Sequence, residues 1–279
     1  MSGFFPRIGR LLSVERQKVV GGRTLRLGAL AVLGVAGLAW FSHDTTSEET
    51  AWTLTSSVLA AGLWAAEIFL LVAGTTAIAG ESAQGTLKMI LPHAYRRSDW
   101  ILAKALTLTA MAALLLVVAL GAALLAGALS GGLSDVTQTI PAAFGGEARV
   151  EVLRPASEMW GLLAGSAVVA GAAHAATALL GLLLSCLFEG VVPALSAGFL
   201  VFLGIKSAGA LFGASQSVLE RIYAWYPGEM LVRVEKLGRG FAERWNETLL
   251  PRGLALSAIV ATASVVLALA IFGRRDLQS

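Results

Sequence analysis

Apolar residues in this chain gather into runs longer than a soluble helical core uses, and the polar residues are confined to the intervals between them. A bilayer-spanning helix requires about 20 predominantly apolar residues, because lipid satisfies no backbone hydrogen bonds and the hydrocarbon is about 30 Å thick. Six stretches meet this requirement: Leu25–Phe41, Trp52–Ala79, Ile101–Leu129, Trp160–Leu187, Val191–Leu211 and Gly253–Phe272. The first is the shortest and draws on Arg23 and Arg26 snorkelling at its start. The second, third and fourth run to 28 or 29 residues, long enough to tilt or to project beyond the lipid. The pattern predicts an all-α integral membrane protein of six spans, a single transmembrane domain over residues 1–279.

The intervals are patterned too. In the first 24 residues Phe4, Phe5, Ile8, Leu11 and Leu12 recur at helical spacing with Arg7, Arg10 and Arg16 between them. This predicts an amphipathic helix in the membrane interface, its basic face toward anionic headgroups. The loop from Gly80 to Lys104 reads as a short helix of mixed character followed by a basic turn. A helix held between two long spans is a lever, and it suggests a docking element for a soluble partner. The segment Gly213–Arg252 interleaves five Glu and six Arg/Lys with Ile222, Trp225, Tyr226, Leu231, Val232, Leu237, Phe241 and Trp245. It predicts one or two amphipathic helices on or in the outer leaflet, with Pro227 and Gly228 between them.

Composition agrees with lipid as the solvent. Of 279 residues 56% are hydrophobic and 14% charged, against about 25% charged in soluble domains. This excludes a soluble enzyme, a disordered chain and, with one Cys, a disulfide scaffold. The net charge of +3 reads as topology rather than as a nucleic-acid surface. With six spans both termini share a side, and the segments on that side carry 12 basic and five acidic residues, whereas the opposite segments carry eight and 12. The positive-inside rule then places both termini in the cytoplasm. The first apolar run ends without a small-x-small cleavage site, so it is expected to stay as an uncleaved anchor.

Few polar residues lie inside the spans. Glu67 is 15 residues into the second, about 22 Å along a helix rising about 1.5 Å per residue. An intramembrane carboxylate faces a cavity or the bundle interior by default, and Glu67 admits a pathway or substrate role, a structural hydrogen bond or ion pair, or a neutral buried acid. Lys206 in the fifth span either points inward or snorkels outward. His174 in the fourth reads first as a packed histidine, since Cys186 and His43 offer no metal spacing with it. Gly127/Gly131 and Gly161/Gly165 fit close helix packing. No phosphate loop is present: Gly198 to Gly204-Ile205-Lys206-Ser207 has the wrong spacing and lies in an apolar helix.

One loop carries a resemblance. Glu81, Gly85-Thr86-Leu87, an apolar pair, a Pro, Arg97 and Lys104 resemble the cytoplasmic loop of type-2 ABC transporter permeases, in which the pattern runs Glu-x-x-x-Gly-Thr-Leu, Pro, Arg, Lys. Pro92 stands two residues before the family's usual position, occupied here by Ala94. Leu12-Ser13-Val14-Glu15-Arg16 resembles the family's amphipathic leading helix, and the six-span layout is also similar.

The resemblance implies an exporter subunit in the cytoplasmic (inner) membrane that forms a homodimer, or a heterodimer with a related permease. It implies no catalytic, cofactor or metal site in this chain, ATP and Mg being bound by two copies of a separate ABC ATPase. Glu81, Gly85, Thr86, Leu87, Arg96, Arg97 and Lys104 would couple to that ATPase, through a coupling helix between spans 2 and 3, and Glu15 and Arg16 would belong to the leading helix. Glu67, Lys206 and His174 are candidates for the translocation pathway. Membrane lipid and a periplasmic partner complete the expected contacts, and nucleic acid is not among them. A weaker likeness is to the permease of the nitrous oxide reductase maturation system. Two alternatives stand beside transport: an anchoring or assembly factor driven by the same ATPase, and an ion-coupled secondary carrier using Glu67 and Lys206.

Overall fold

The computed structural model describes residues 4–21, 23–42, 50–86, 96–140, 149–211, 227–240 and 249–274. The described residues are mostly helical (85%). Helix α1 (Phe4–Arg16) runs into a π-helical turn at Gln17–Gly21, after which α2 (Arg23–Phe41) begins. The long helices that follow are α3 (Ala51–Thr76), α5 (Arg97–Leu129), α6 (Ala156–Leu187), α7 (Val191–Leu211) and α9 (Leu249–Arg274), with the short α4 (Ala79–Ala83) after α3 and α8 (Pro227–Gly238) before α9.

Among the described residues five helices, α2, α3, α5, α6 and α9, are long and apolar enough to cross a membrane. The fifth predicted span corresponds to α7, whose described apolar stretch covers Val191–Gly204. Each predicted span overlaps a helix, with ends that differ by a few residues: Trp52–Ala79 is cut at Thr76, where α3 ends before α4, and polar turns join other helices. Arg97 to Trp100, for instance, form the first turn of α5.

A hairpin departs from the all-α expectation. Strands β1 (Val136–Ile140) and β2 (Arg149–Arg154) pair antiparallel, Thr139 opposite Val150 and Ile140 opposite Arg149. Val-Thr-Gln-Thr-Ile and Arg-Val-Glu-Val-Leu-Arg are rich in β-branched residues, and the second alternates polar with apolar over Arg149–Val152, which favours a pleated ribbon over a helix.

Helix α3 sits at the centre, in contact with α2, α5, α6, α7 and α8. Its closest seam is with α6. A Cβ on Gly74 would lie 2.3 Å from the Ala178 carbonyl oxygen, and one on Gly181 would lie 3.0 Å from the Gly74 Cα. The two backbones therefore cross where neither has a side chain, the small-residue contact that membrane helices use in place of a hydrophobic drive. The glycine pairs singled out from spacing behave differently. Gly127 abuts Thr55 and Gly165 abuts Leu250, while Gly131 and Gly161 have open space.

At the end where α3 meets α4 the helix breaks. Ala77 N–H donates to Gly74 O at 3.2 Å, and the next two amides donate to the Ser185 hydroxyl on α6, Ile78 N at 2.8 Å and Ala79 N at 2.7 Å. A helix start leaves backbone donors without intrahelical acceptors, and the buried Ser185 accepts two of them.

The other end is braced by α8. Pro227 occupies its first turn, where the missing N–H costs nothing. The predicted amphipathic stripe is present, and Leu231, Val234 and Leu237 are buried. It turns toward the protein, because α8 packs on α3 and α6. Thr50 caps α3 and donates its hydroxyl to Gly238 O at 2.9 Å. Trp52 donates Nε1–H to Ser134 O at 2.8 Å and meets Trp160 edge to face. Residues 212–226 and 241–248 of the same segment lie outside the described residues.

Candidate functional site

Four charged side chains from three separated stretches converge at the end of the bundle holding α1, α4 and the start of α5. Lys104 Nζ on α5 is 2.8 Å from Glu81 Oε1 on α4 and 3.5 Å from Glu15 on α1. Lys18, in the π-helical turn, is 3.0 Å from Glu15 Oε1 and 2.9 Å from Glu81 Oε1. Two carboxylates thus alternate with two ammonium groups, and the set is neutral.

The Trp100 ring lies beneath both cations, with Lys104 Nζ 5.1 Å and Lys18 Nζ 5.2 Å from its centroid, within the reach of cation–π attraction. Glu15 and Lys104 are buried. A buried pair becomes costly when one partner is removed, because the other is left charged and unsolvated.

Local sequence explains the convergence. Glu15 and Lys18 are three residues apart, so they share a face of α1 and the turn that extends it. Trp100 and Lys104 are one turn apart on α5. Partial burial would lower the Lys18 pKa, but hydrogen bonds and charges from Glu81 and then Glu15 outweigh it and hold the ammonium above its ordinary value.

The other predicted loop residues are distributed around this cluster. Thr86 donates its hydroxyl to Glu81 O at 3.0 Å, and Gly85 stands at φ 71, a left-handed conformation suited to glycine. Leu87 lies outside the described residues, as does everything from 87 to 95, including Pro92 and Ala94. Arg96 is exposed. Arg97 reaches instead to α9, with Nη1 3.4 Å from Phe272 O and 3.3 Å from Gly273 O. It caps the last turn of that helix, where orphan carbonyls and the helix dipole favour a cation. Arg16 is exposed while Glu15 turns inward.

Asp99, on the first turn of α5, is buried, and neither carboxylate oxygen has a hydrogen-bond partner among the described residues.

His174 is buried in the α3–α6 seam, its Nδ1 2.5 Å from Ala170 O on its own helix and its Nε2 2.8 Å from Leu63 O. Both ring nitrogens face backbone carbonyl oxygens, which only accept, so a ring carrying one N–H donates to one of the two. Glu67, half-buried, lies one turn beyond Leu63 on α3. Lys206 is in α7, and its side chain lies outside the described residues.

Sequence reasoning missed Lys18 and Trp100 as members of the cluster. Their signals were the i,i+3 spacing from Glu15 and the one-turn spacing to Lys104. It also missed Ser185, whose place opposite the α3 break has no signature in its own neighbourhood.

A neutral, partly buried charge cluster joining a leading helix to the loop after the second long helix defines a polytopic helical membrane protein with an internal brace at one end. Residues 11–146 match the family model described as ABC-2 family transporter protein. This match, over just under half of the chain, supports a type-2 ABC transporter permease, and that family implies association with an ABC ATPase. The matched residues include all five members of the cluster. No curated protein matches the chain.

Proposed function

We propose that this chain is the transmembrane subunit of an ABC exporter in the cytoplasmic membrane, with both termini in the cytoplasm, working as a dimer with two ATPase subunits docked on the 80–104 loop. The observation that carries the reading is the cluster itself. Glu81 opens the loop and Lys104 closes it, and the two meet at 2.8 Å. Force applied between them reaches α3 through α4, reaches α5 directly, and reaches α1 through Glu15 and Lys18.

Arg96, exposed at the start of α5, is the residue offered to the ATPase. Arg97 and Glu81 act from behind it, Arg97 by holding α9 and Glu81 by holding the loop's base. ATP-driven closure of the ATPases would push the loop and reorient the second and fifth spans, with Glu67 and Lys206 beside the path of the substrate.

The test is copurification with a co-encoded ATPase, followed by ATP hydrolysis in vesicles. Arg96→Glu is expected to weaken capture of the ATPase at least about tenfold, the loss expected of one interfacial charge pair at about 1.5 kcal/mol or more. Glu81→Gln is expected to retain capture and lose transport-linked hydrolysis. Full coupling in both variants overturns the docking assignment. Gradient-driven flux without an ATPase would instead establish a secondary carrier.

A further inference from the structure

The helix that supplies Glu15 and Lys18 to the cluster has a second face with a different character. Arg10 and Arg16 on α1, and Arg23 and Arg26 at the start of α2, are exposed. Between Phe4 and Ser42 the sequence holds one acidic residue, Glu15, and it is buried against Lys18 and Lys104. Four guanidinium groups of this stretch are therefore exposed, with no exposed carboxylate between Phe4 and Ser42 to neutralise them. Arg23 and Arg26 open an apolar helix of membrane-crossing length, so these two stand where a span would meet the headgroups. Val14, 44% exposed, adds an apolar contact on α1 beside Arg10.

We propose that this face binds anionic phospholipid headgroups. Lipid bound there presses the Glu15–Lys18 side of the same helix against Glu81 and Lys104, and so fixes the base of the loop. Guanidinium groups match phosphodiester oxygens in charge and in hydrogen-bond geometry, and a basic patch beside a span gains from the negative surface potential of an anionic leaflet. The link inward is the ion-pair set already described: Lys18 touches Glu15 and Glu81 at once, so α1 cannot lift without breaking contacts to α4. The lipid composition of the leaflet then becomes an input to the loop. Its consequence for ATP coupling rests on the function proposed above, but the binding does not.

Hydrogen exchange on the full-length protein in vesicles tests the idea without any ATPase. Amides of Arg10–Val19 and of Ala79–Gly85 are compared in phosphatidylcholine and in an equimolar mixture with phosphatidylglycerol. Both segments are expected to exchange more slowly in the anionic vesicles, by about fivefold for each arginine engaged. The difference is expected to vanish in 1 M salt, where the screening length falls to about 3 Å. Arg10→Gln with Arg16→Gln, which leaves the arginines flanking the span in place for insertion, is expected to reduce the lipid effect in both segments. Equal exchange in the two lipids overturns the proposal. So does a response confined to α1, which would leave the loop unlinked, or an equal effect from inorganic phosphate added to phosphatidylcholine vesicles, which would make the ligand something other than a lipid. A lipid effect unchanged in the double variant also overturns it.

Discussion

Two junctions hold α3 in place, and they use opposite chemistry. Along the α3–α6 seam the contacts are backbone against backbone, with Gly74 and Gly181 crossing, Ser185 accepting two amides and His174 wedged between two carbonyls. At the α1–α4–α5 corner the contacts are four ionised side chains around one indole. The seam depends on the absence of side-chain volume, so it is stiff and insensitive to salt. The corner depends on charge, at the end of long side chains, so it can give and re-form. A transporter needs both: spans that move as a block, and a place where an outside force or a lipid can act on the block.

The largest effect is expected from adding volume to the seam. Gly181→Leu would set a side chain where the Gly74 Cα lies 3.0 Å from a Cβ. Overpacking costs about 1–3 kcal/mol or more when backbone must shift. Thermal unfolding in detergent is expected to show a clear loss of folded protein, whereas Gly161→Leu, in open space, is expected to be neutral. Equal tolerance at the two positions would remove the seam's claim to stiffness.

Next comes removal of a buried charge at the corner. Lys104→Ala leaves Glu15 and Glu81 without their shared buried cation, and breaking such a pair costs about 3–5 kcal/mol. The loss is expected in chemical denaturation, with faster exchange of the Ala79–Gly85 amides.

Ser185→Ala is expected to cost about 1–3 kcal/mol, the range for a buried donor left unsatisfied. Its mark would be faster exchange confined to Ile78 and Ala79, leaving the charge corner intact. A change at Glu81 as well would mean that seam and corner are one unit rather than two.

The smallest effect belongs to Lys18. Its side chain is 44% exposed, so Lys18→Gln is expected to cost less than about 1 kcal/mol. Because its folded-state pKa is raised, its contribution is complete below its ordinary value of 10.5 and fades only as pH rises through the folded value. Between pH 6 and 9 the wild-type corner should show no pH dependence arising from Lys18, which exchange rates of the Glu15–Val19 amides would check.

Much of this was legible in the chain, for physical reasons. A span announces itself because lipid leaves the backbone no alternative to a long apolar helix, and all six predicted stretches overlap helices, five of them long and apolar enough to cross a membrane. Glu15, Glu81 and Lys104 were legible as residue types at family spacing, yet their meeting was not, since they are separated by 66 and 23 positions. The hairpin was overlooked because two strands of five and six residues are hard to see beside such long helices. The outer segment shows why amphipathicity is ambiguous in a membrane protein. Leu231, Val234 and Leu237 form a stripe that could face lipid or protein, and α3 and α6 receive it. Arg97 is a similar case: a basic residue after a loop suggests a partner, and this one caps the end of α9.

The central claim is that Glu81 and Lys104 act as a pair that closes the base of the loop. A double-mutant cycle of Glu81→Gln, Lys104→Met and both together, read by chemical denaturation of the full-length protein in detergent, tests it most directly. The account predicts that the double variant is more stable than the two single losses sum to, by about 1 kcal/mol or more, as for contacting charges. Strictly additive losses would show that the two side chains do not depend on each other and would contradict it.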